Sequence, residues 1–186
     1  TLFAFSTENW KRPKGEVDAL MDLLVEYLRA ELDDLDSNDV RITVIGHPEE
    51  LPPAARDEVR RAVERTASNQ GLRVLLALNY GGRREIVDAA RELARRCVDG
   101  EMDPSAIDEE VFSSALSTAG VPDPDVLIRP SGEMRISNFL LWQVAYSELW
   151  TTRVLWPDFR RRHLYRAIRD FSARERRFGG LGPEEG

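Results

Sequence analysis

The chain has 186 residues, 42% hydrophobic and 32% charged, with a net charge of −7. That is enough for one domain with a real core, and the acidic balance disfavours a generic nucleic-acid binder while leaving room for a local basic patch. A single cysteine excludes an internal disulfide. No run approaches membrane-spanning length and no signal peptide is expected, so a reducing, cytoplasmic location is expected. The chain opens at Thr1 inside an apolar run, without a methionine, which suggests trimming or a fragment.

Thr1 to Phe5 reads as a short buried strand. The polar loop Ser6 to Gly15 follows, with Ser6, Asn9, Trp10 and Arg12 at the carboxyl end of that strand. Ligands of open α/β sheets bind at such ends. Asn9 reads equally well as a turn residue bonding its own backbone, and Trp10 as a packing anchor. Glu16 to Leu35 is a helix, because Val17, Leu20, Met21, Leu24, Tyr27, Leu28, Leu32 and Leu35 recur at three- and four-residue steps. The stripe suits core or the wall of an apolar cavity. Val40 to Gly46 is a second strand, and His47 is read as a loop residue in the turn that follows. Pro52 and Pro53 start a helix to about Ser68. Leu72 to Asn79 is nearly continuous in apolar residues, as in a parallel strand covered on both faces. Tyr80-Gly81-Gly82 turns into a helix ending at Val98, where Cys97 shares an apolar face with Ile86, Ala90, Leu93 and Ala94 and reads as core.

Short helical pieces are expected around Pro104 to Ala106 and Glu109 to Leu116. Val126-Leu127-Ile128 is then a buried strand ended by Arg129, and Pro130-Ser131-Gly132 breaks it. Ser137 and Asn138 read as helix N-caps for a helix over Phe139 to Leu149. Arg129, Arg135 and Ser137 therefore fall in a strand-to-helix loop. Arginine's planar fork and a helix N-terminus both suit a phosphate. The plainer alternative is that the arginines pair with nearby acids, although such surface pairs are worth little. A strand over Leu149 to Leu155 and a last helix from Arg160 to Arg177 complete the pattern. Most arginines of that helix read as a solvated face, and residues 179–186 as a flexible tail. Strands alternating with helices argue one α/β domain, residues 1–178, with a mainly parallel sheet flanked by helices.

Five longer motifs stand in one order. They are Phe5-Ser6-Thr7-Glu8-Asn9-Trp10-Lys11-Arg12-Pro13, Leu78-Asn79-Tyr80-Gly81-Gly82-Arg83, Ile128 to Gln143, Leu155-Trp156-Pro157-Asp158-Phe159, and Arg176-Arg177-Phe178-Gly179-Gly180. Together they resemble the cis-prenyltransferases, most closely the undecaprenyl diphosphate synthase family, over nearly the whole chain. The resemblance implies a parallel-sheet α/β fold with an apolar tunnel, and a homodimer. It implies a transferase that condenses isopentenyl diphosphate with an allylic diphosphate, such as farnesyl diphosphate, with Mg²⁺. The product is expected to be a Z-polyprenyl diphosphate, undecaprenyl diphosphate for a cell-wall lipid carrier.

Carried over by position, Arg129, Arg135 and Ser137, with Ile136 among them, would hold the diphosphate of isopentenyl diphosphate. Ser6, Thr7, Glu8, Trp10 and Arg12 would belong to the substrate site. Asn9 matches the residue associated with proton removal, but an amide is a poor base and is read here as a positioner of substrate or water. Glu148 matches a Mg²⁺ ligand, and one carboxylate with phosphates and water suits that cation. Arg177-Phe178-Gly179 resembles a tail motif that reaches across the dimer.

Two departures stand out. The family's first strand and its Met-Asp-Gly-Asn loop, which binds the allylic diphosphate, would precede Thr1. Met134 stands where many relatives have histidine, and thioether sulfur is a poor Mg²⁺ ligand. The main rival is a non-catalytic accessory subunit. A nucleotide-binding module is disfavoured because no Walker-type lysine follows Gly81-Gly82. Peripheral membrane contact for product release stays open, with no strongly basic amphipathic anchor evident.

Overall fold

A computed structural model describes residues 1–174, and the chain divides after Gly120 into two compact units. In the first unit, β1 (Leu2–Ser6), β2 (Arg41–Gly46) and β3 (Arg73–Tyr80) form a parallel sheet in the order β1-β3-β2. Parallel neighbours need a crossover. Helix α1 (Lys14–Ser37) takes the chain from β1 to β2, and α2 (Pro53–Arg65) takes it from β2 to β3. Helices α3 (Gly82–Val98) and α4 (Glu109–Ser114) follow. Strand β3 is central and buried from Ala77 to Tyr80, which explains its apolar run. Ser6 pairs with Tyr80 and Gly46 with Leu78, so all three strands end at one edge of the sheet.

The α1 stripe is mainly core. Val17, Met21, Leu28 and Leu32 pack with Ala55, Val59 and Ala62 of α2 and with Phe5, Ile42 and Leu78 of the sheet. Tyr27 departs from the stripe and is 63% exposed. Thr66, past the end of α2, ties the helix to the sheet: its Oγ1 accepts from Ile42 N at 3.0 Å and donates to Ala62 O at 2.8 Å. Gly46 has φ +98°, and a Cβ there would lie 2.3 Å from Leu78 O, so the sharp exit from β2 requires glycine. Cys97 is half-buried rather than core. It lines an open apolar hollow with Leu93, Pro104, Ile107 and Phe112, because the last turn of α3 is covered only by short pieces.

In the second unit, β4 (Val126–Arg129) pairs in parallel with β5 (Glu148–Thr151). The helix expected over Phe139 to Leu149 is not formed. Ser137, Asn138 and Leu140 take φ of 55°, 63° and 48°, left-handed values that a right-handed helix cannot hold. The chain runs through turns instead, burying Phe139, Leu140 and Val144. The reason is tertiary: Glu148 and Leu149 are claimed by β4, in register with Val126 and Leu127. The last helix, α5 (Arg161–Ser172), is seated on β5 by Trp150, whose Nε1 donates to Asp170 Oδ2 at 2.9 Å. The end expected for that helix, the Arg177-Phe178-Gly179 motif and the 179–186 tail lie outside the described residues. Among the described residues no helix is long and apolar enough to cross a membrane.

Candidate active site

The carboxyl edge of the first sheet carries the first polar cluster. Ser6 ends β1 and caps a 3₁₀ turn over Thr7–Lys11. The Oδ1 of Asn9 accepts from Ser6 N at 2.7 Å and from Ser6 Oγ at 2.9 Å. The turn role open to Asn9 is therefore real, and it commits the amide oxygen. What Asn9 offers a ligand is its Nδ2 donor. Thr7 Oγ1 donates to Glu8 at 3.3 Å, and Arg12 pairs with Glu16 one helical turn on. Trp10 packs edge-on against Phe5, with ring centroids 5.0 Å apart, yet stays 38% exposed. Its Nε1 donates to Asn79 Oδ1 at 2.8 Å.

Asn79, the residue before the end of β3, is fully buried, with φ 47°. Its Nδ2 donates to Glu50 Oε2 at 2.6 Å and to the His47 carbonyl at 3.3 Å. The Nη1 and Nη2 of Arg84 both donate to the Glu50 carboxylate. Arg84 foremost, and then Asn79, hold the Glu50 carboxyl down to about 2, and Glu50 in turn raises Arg84. The His47 ring lies 3.0 Å from Glu49 and 3.1 Å from Asp88. His47 is the loop residue expected, just past the end of β2, and its ring sits among acids.

The second cluster belongs to the second unit. Arg129 ends β4, half-buried, and its Nη2 donates to Ser137 Oγ at 3.3 Å. Its Nε is shut off from solvent and has no acceptor among the described residues. Among the described residues Arg129 pairs with no acid, whereas Arg135 follows the plainer alternative: it pairs with Glu133 at 2.7 Å and is 71% exposed. Ile136 and Ser137 are exposed beside it. Ser131 N and Gly132 N donate to Val154 O and Thr152 O, each at 2.8 Å, which pins the loop behind Arg129. Glu148 is not brought to Arg129, since the two lie at opposite ends of the β4–β5 pairing. Glu148 accepts from Arg174 in an ion pair. Its oxygen donors and partial exposure fit a hard cation, whereas the 80% exposed Met134 offers only sulfur.

Asn79 stood in one of the sequence motifs without a role assigned to it, and Glu50 and Arg84 were not singled out. The available signal was Asn79 itself, an amide closing an otherwise apolar strand. Glu50 and Arg84 sit on separate segments and gave none.

A family model described as "Putative undecaprenyl diphosphate synthase" matches residues 1–179. An isoprenyl transferase of Heliobacterium mobile is 57% identical over 181 residues, covering 97% of this chain and 70% of that protein. One from Clostridium tetani is 52% identical, covering 97% and 71%. Among solved structures, lavandulyl diphosphate synthase from Lavandula x intermedia, in complex with dimethylallyl diphosphate, superposes with a TM-score of 0.93 at 38% identity, covering 96% of this chain and 77% of that one. A probable undecaprenyl diphosphate synthase from Campylobacter jejuni gives 0.84 at 37%, covering 96% and 82%. A match of this extent, over a parallel sheet flanked by helices, places the chain in the cis-prenyltransferase family typified by undecaprenyl diphosphate synthase, and makes it a prenyl transferase.

Proposed function

We propose that the protein condenses isopentenyl diphosphate with an allylic diphosphate, farnesyl diphosphate above all, to give a Z-polyprenyl diphosphate such as undecaprenyl diphosphate. The observation that carries this is Arg129, a half-buried guanidinium that ends a strand, touches a serine and faces no acid among the described residues. Such a group suits a diphosphate, which accepts several N–H bonds in fixed directions. Support also comes from the relatives' names, which disfavour the accessory-subunit alternative.

In this reading Arg129 and Ser137 hold the diphosphate of isopentenyl diphosphate, with Arg135 swinging from Glu133 to join them and Ile136 against the hydrocarbon. Ser6, Thr7, Glu8, Trp10 and Arg12 line the substrate site. Asn9 donates from Nδ2 to substrate or water, and so positions the proton's acceptor rather than acting as base. Glu148, once parted from Arg174, would be the residue to hold Mg²⁺, which would contribute positive charge to the diphosphate site. Residues 1–178 act as one catalytic domain with an apolar tunnel, in a cytoplasmic homodimer that touches the membrane to release product.

The test is incorporation of labelled isopentenyl diphosphate into farnesyl diphosphate by the full-length protein, with Mg²⁺ and a chelator control, the products sized by chromatography. A chelator-sensitive polyprenyl ladder is expected and gives the product length. Absence of any product from folded protein would overturn the reading.

A further inference from the structure

The exposed indole of Trp10 could have donated its N–H to water. Instead it meets a buried amide, Asn79, in a strand segment that is otherwise apolar. Burying an amide is costly unless it is fully bonded, and an aliphatic residue would have served the core. Packing alone does not account for Asn79.

The chain of partners has a single allowed polarity. Arg84 can only donate and Glu50 can only accept, so Asn79 must turn its Nδ2 towards Glu50. Its Oδ1 is then left facing the indole, which can only donate. The His47 carbonyl accepts from the same Nδ2 and reinforces that orientation. Trp10 lies inside the Thr7–Lys11 turn, whose other end is held by Asn9 on Ser6. Fixing the indole therefore fixes the pitch of the turn that carries Asn9 and leads into Arg12.

We infer that Asn79, oriented by the Glu50–Arg84 ion pair, is a positioning residue that sets Trp10 and, through it, the substrate-facing turn. This rests on the proposed function above for what the turn does, and on geometry alone for how the indole is held.

The full-length protein would be made as Asn79→Ala, Asn79→Asp, Glu50→Gln, Trp10→Phe and the pair Asn79→Asp with Glu50→Gln. The readouts are kcat and KM for isopentenyl diphosphate, and the indole ¹H–¹⁵N resonance of Trp10, assigned by its loss in Trp10→Phe. Asn79→Ala should move the resonance and lower kcat/KM roughly tenfold, about the value of one hydrogen bond. Asn79→Asp sets a carboxylate against Glu50 and should cost more. Adding Glu50→Gln to it restores the polarity, because the glutamine amide can donate to the new carboxylate while its oxygen accepts from Arg84. That pair should recover most of the activity and return the resonance towards its original position. In Trp10→Phe, adding Glu50→Gln should cost nothing further. A resonance unmoved by Asn79→Ala, or no rescue by the pair, or losses that add independently of Trp10, would overturn the inference. Glu50→Gln lies at an exposed site, so these outcomes can be read even if Asn79→Ala folds poorly. A folded wild-type protein without transferase activity would bring down the functional reading, and the resonance would still decide whether Asn79 sets the indole.

Discussion

At the scale of single residues, function and structure compete for the same atoms. Asn9 gives its oxygen to the turn and keeps its amide protons for a ligand. Arg135 is engaged by Glu133, and Arg129, among the described residues, by a serine. Replacing Arg129 with alanine should therefore raise KM for isopentenyl diphosphate by about ten- to a hundredfold, the value of hydrogen bonds to a charged group, and Arg135→Ala by less. The Glu50 carboxyl is held down to about 2 from its ordinary 4.5 by Arg84 and Asn79, with His47 adding to the same effect. A depressed carboxyl stabilises the fold above its unfolded value, and that contribution fades as pH falls towards the folded one. Any pH response of the Glu50–Arg84 clamp should therefore lie below about pH 4.5. The Trp10 indole resonance, followed from about pH 8 down to about pH 5, should not report Glu50 protonation. Residue types at this scale were legible: Ser6, Asn9, Trp10, Arg12 and Arg129 stood out by chemistry at strand ends. Their partners were not.

At the scale of elements, periodicity predicted α1, α2, α3 and the three strands of the first sheet to within a few residues. Their apolar spacing reflects burial against immediate neighbours, which is a local property of the chain. Leu32, 2% exposed on α1 in the core with α2 and the sheet, tests that packing. Leu32→Ala should cost about 2–5 kcal/mol in a denaturant melt. Gly46→Ala tests the exit of β2. The residue would hold φ +98° with its Cβ against Leu78 O, so backbone strain of about 1–3 kcal/mol adds to the collision. A clear fall in melting temperature is expected. The failed element is the helix over Phe139 to Leu149. Its apolar spacing was sound, but the backbone of Glu148 and Leu149 pairs with β4, and three left-handed residues precede the turns. No window of sequence reveals a strand partner more than twenty residues away.

For the molecule as a whole, ligand binding should appear as stability. Isopentenyl diphosphate at a hundred times its Kd, with Mg²⁺ present, adds about 2.7 kcal/mol, or roughly 5–10 °C in melting temperature for a chain of this size. Arg129→Ala, at the same ligand concentration, should remove about half or more of that shift while leaving the ligand-free melt near wild type. The sequence by itself determined the family, because five motifs in one order are far more specific than any single loop. It also determined the parallel α/β class, because continuous apolar strands alternate with amphipathic helices. Only the tertiary structure decided which polar groups meet. Trp10 finds Asn79 at a separation of 69 residues and Asn79 finds Glu50 at 29, because parallel register brings three strand ends to one edge. Hydrogen bonding depends on that register, and register is a property of the assembled sheet rather than of any segment within it.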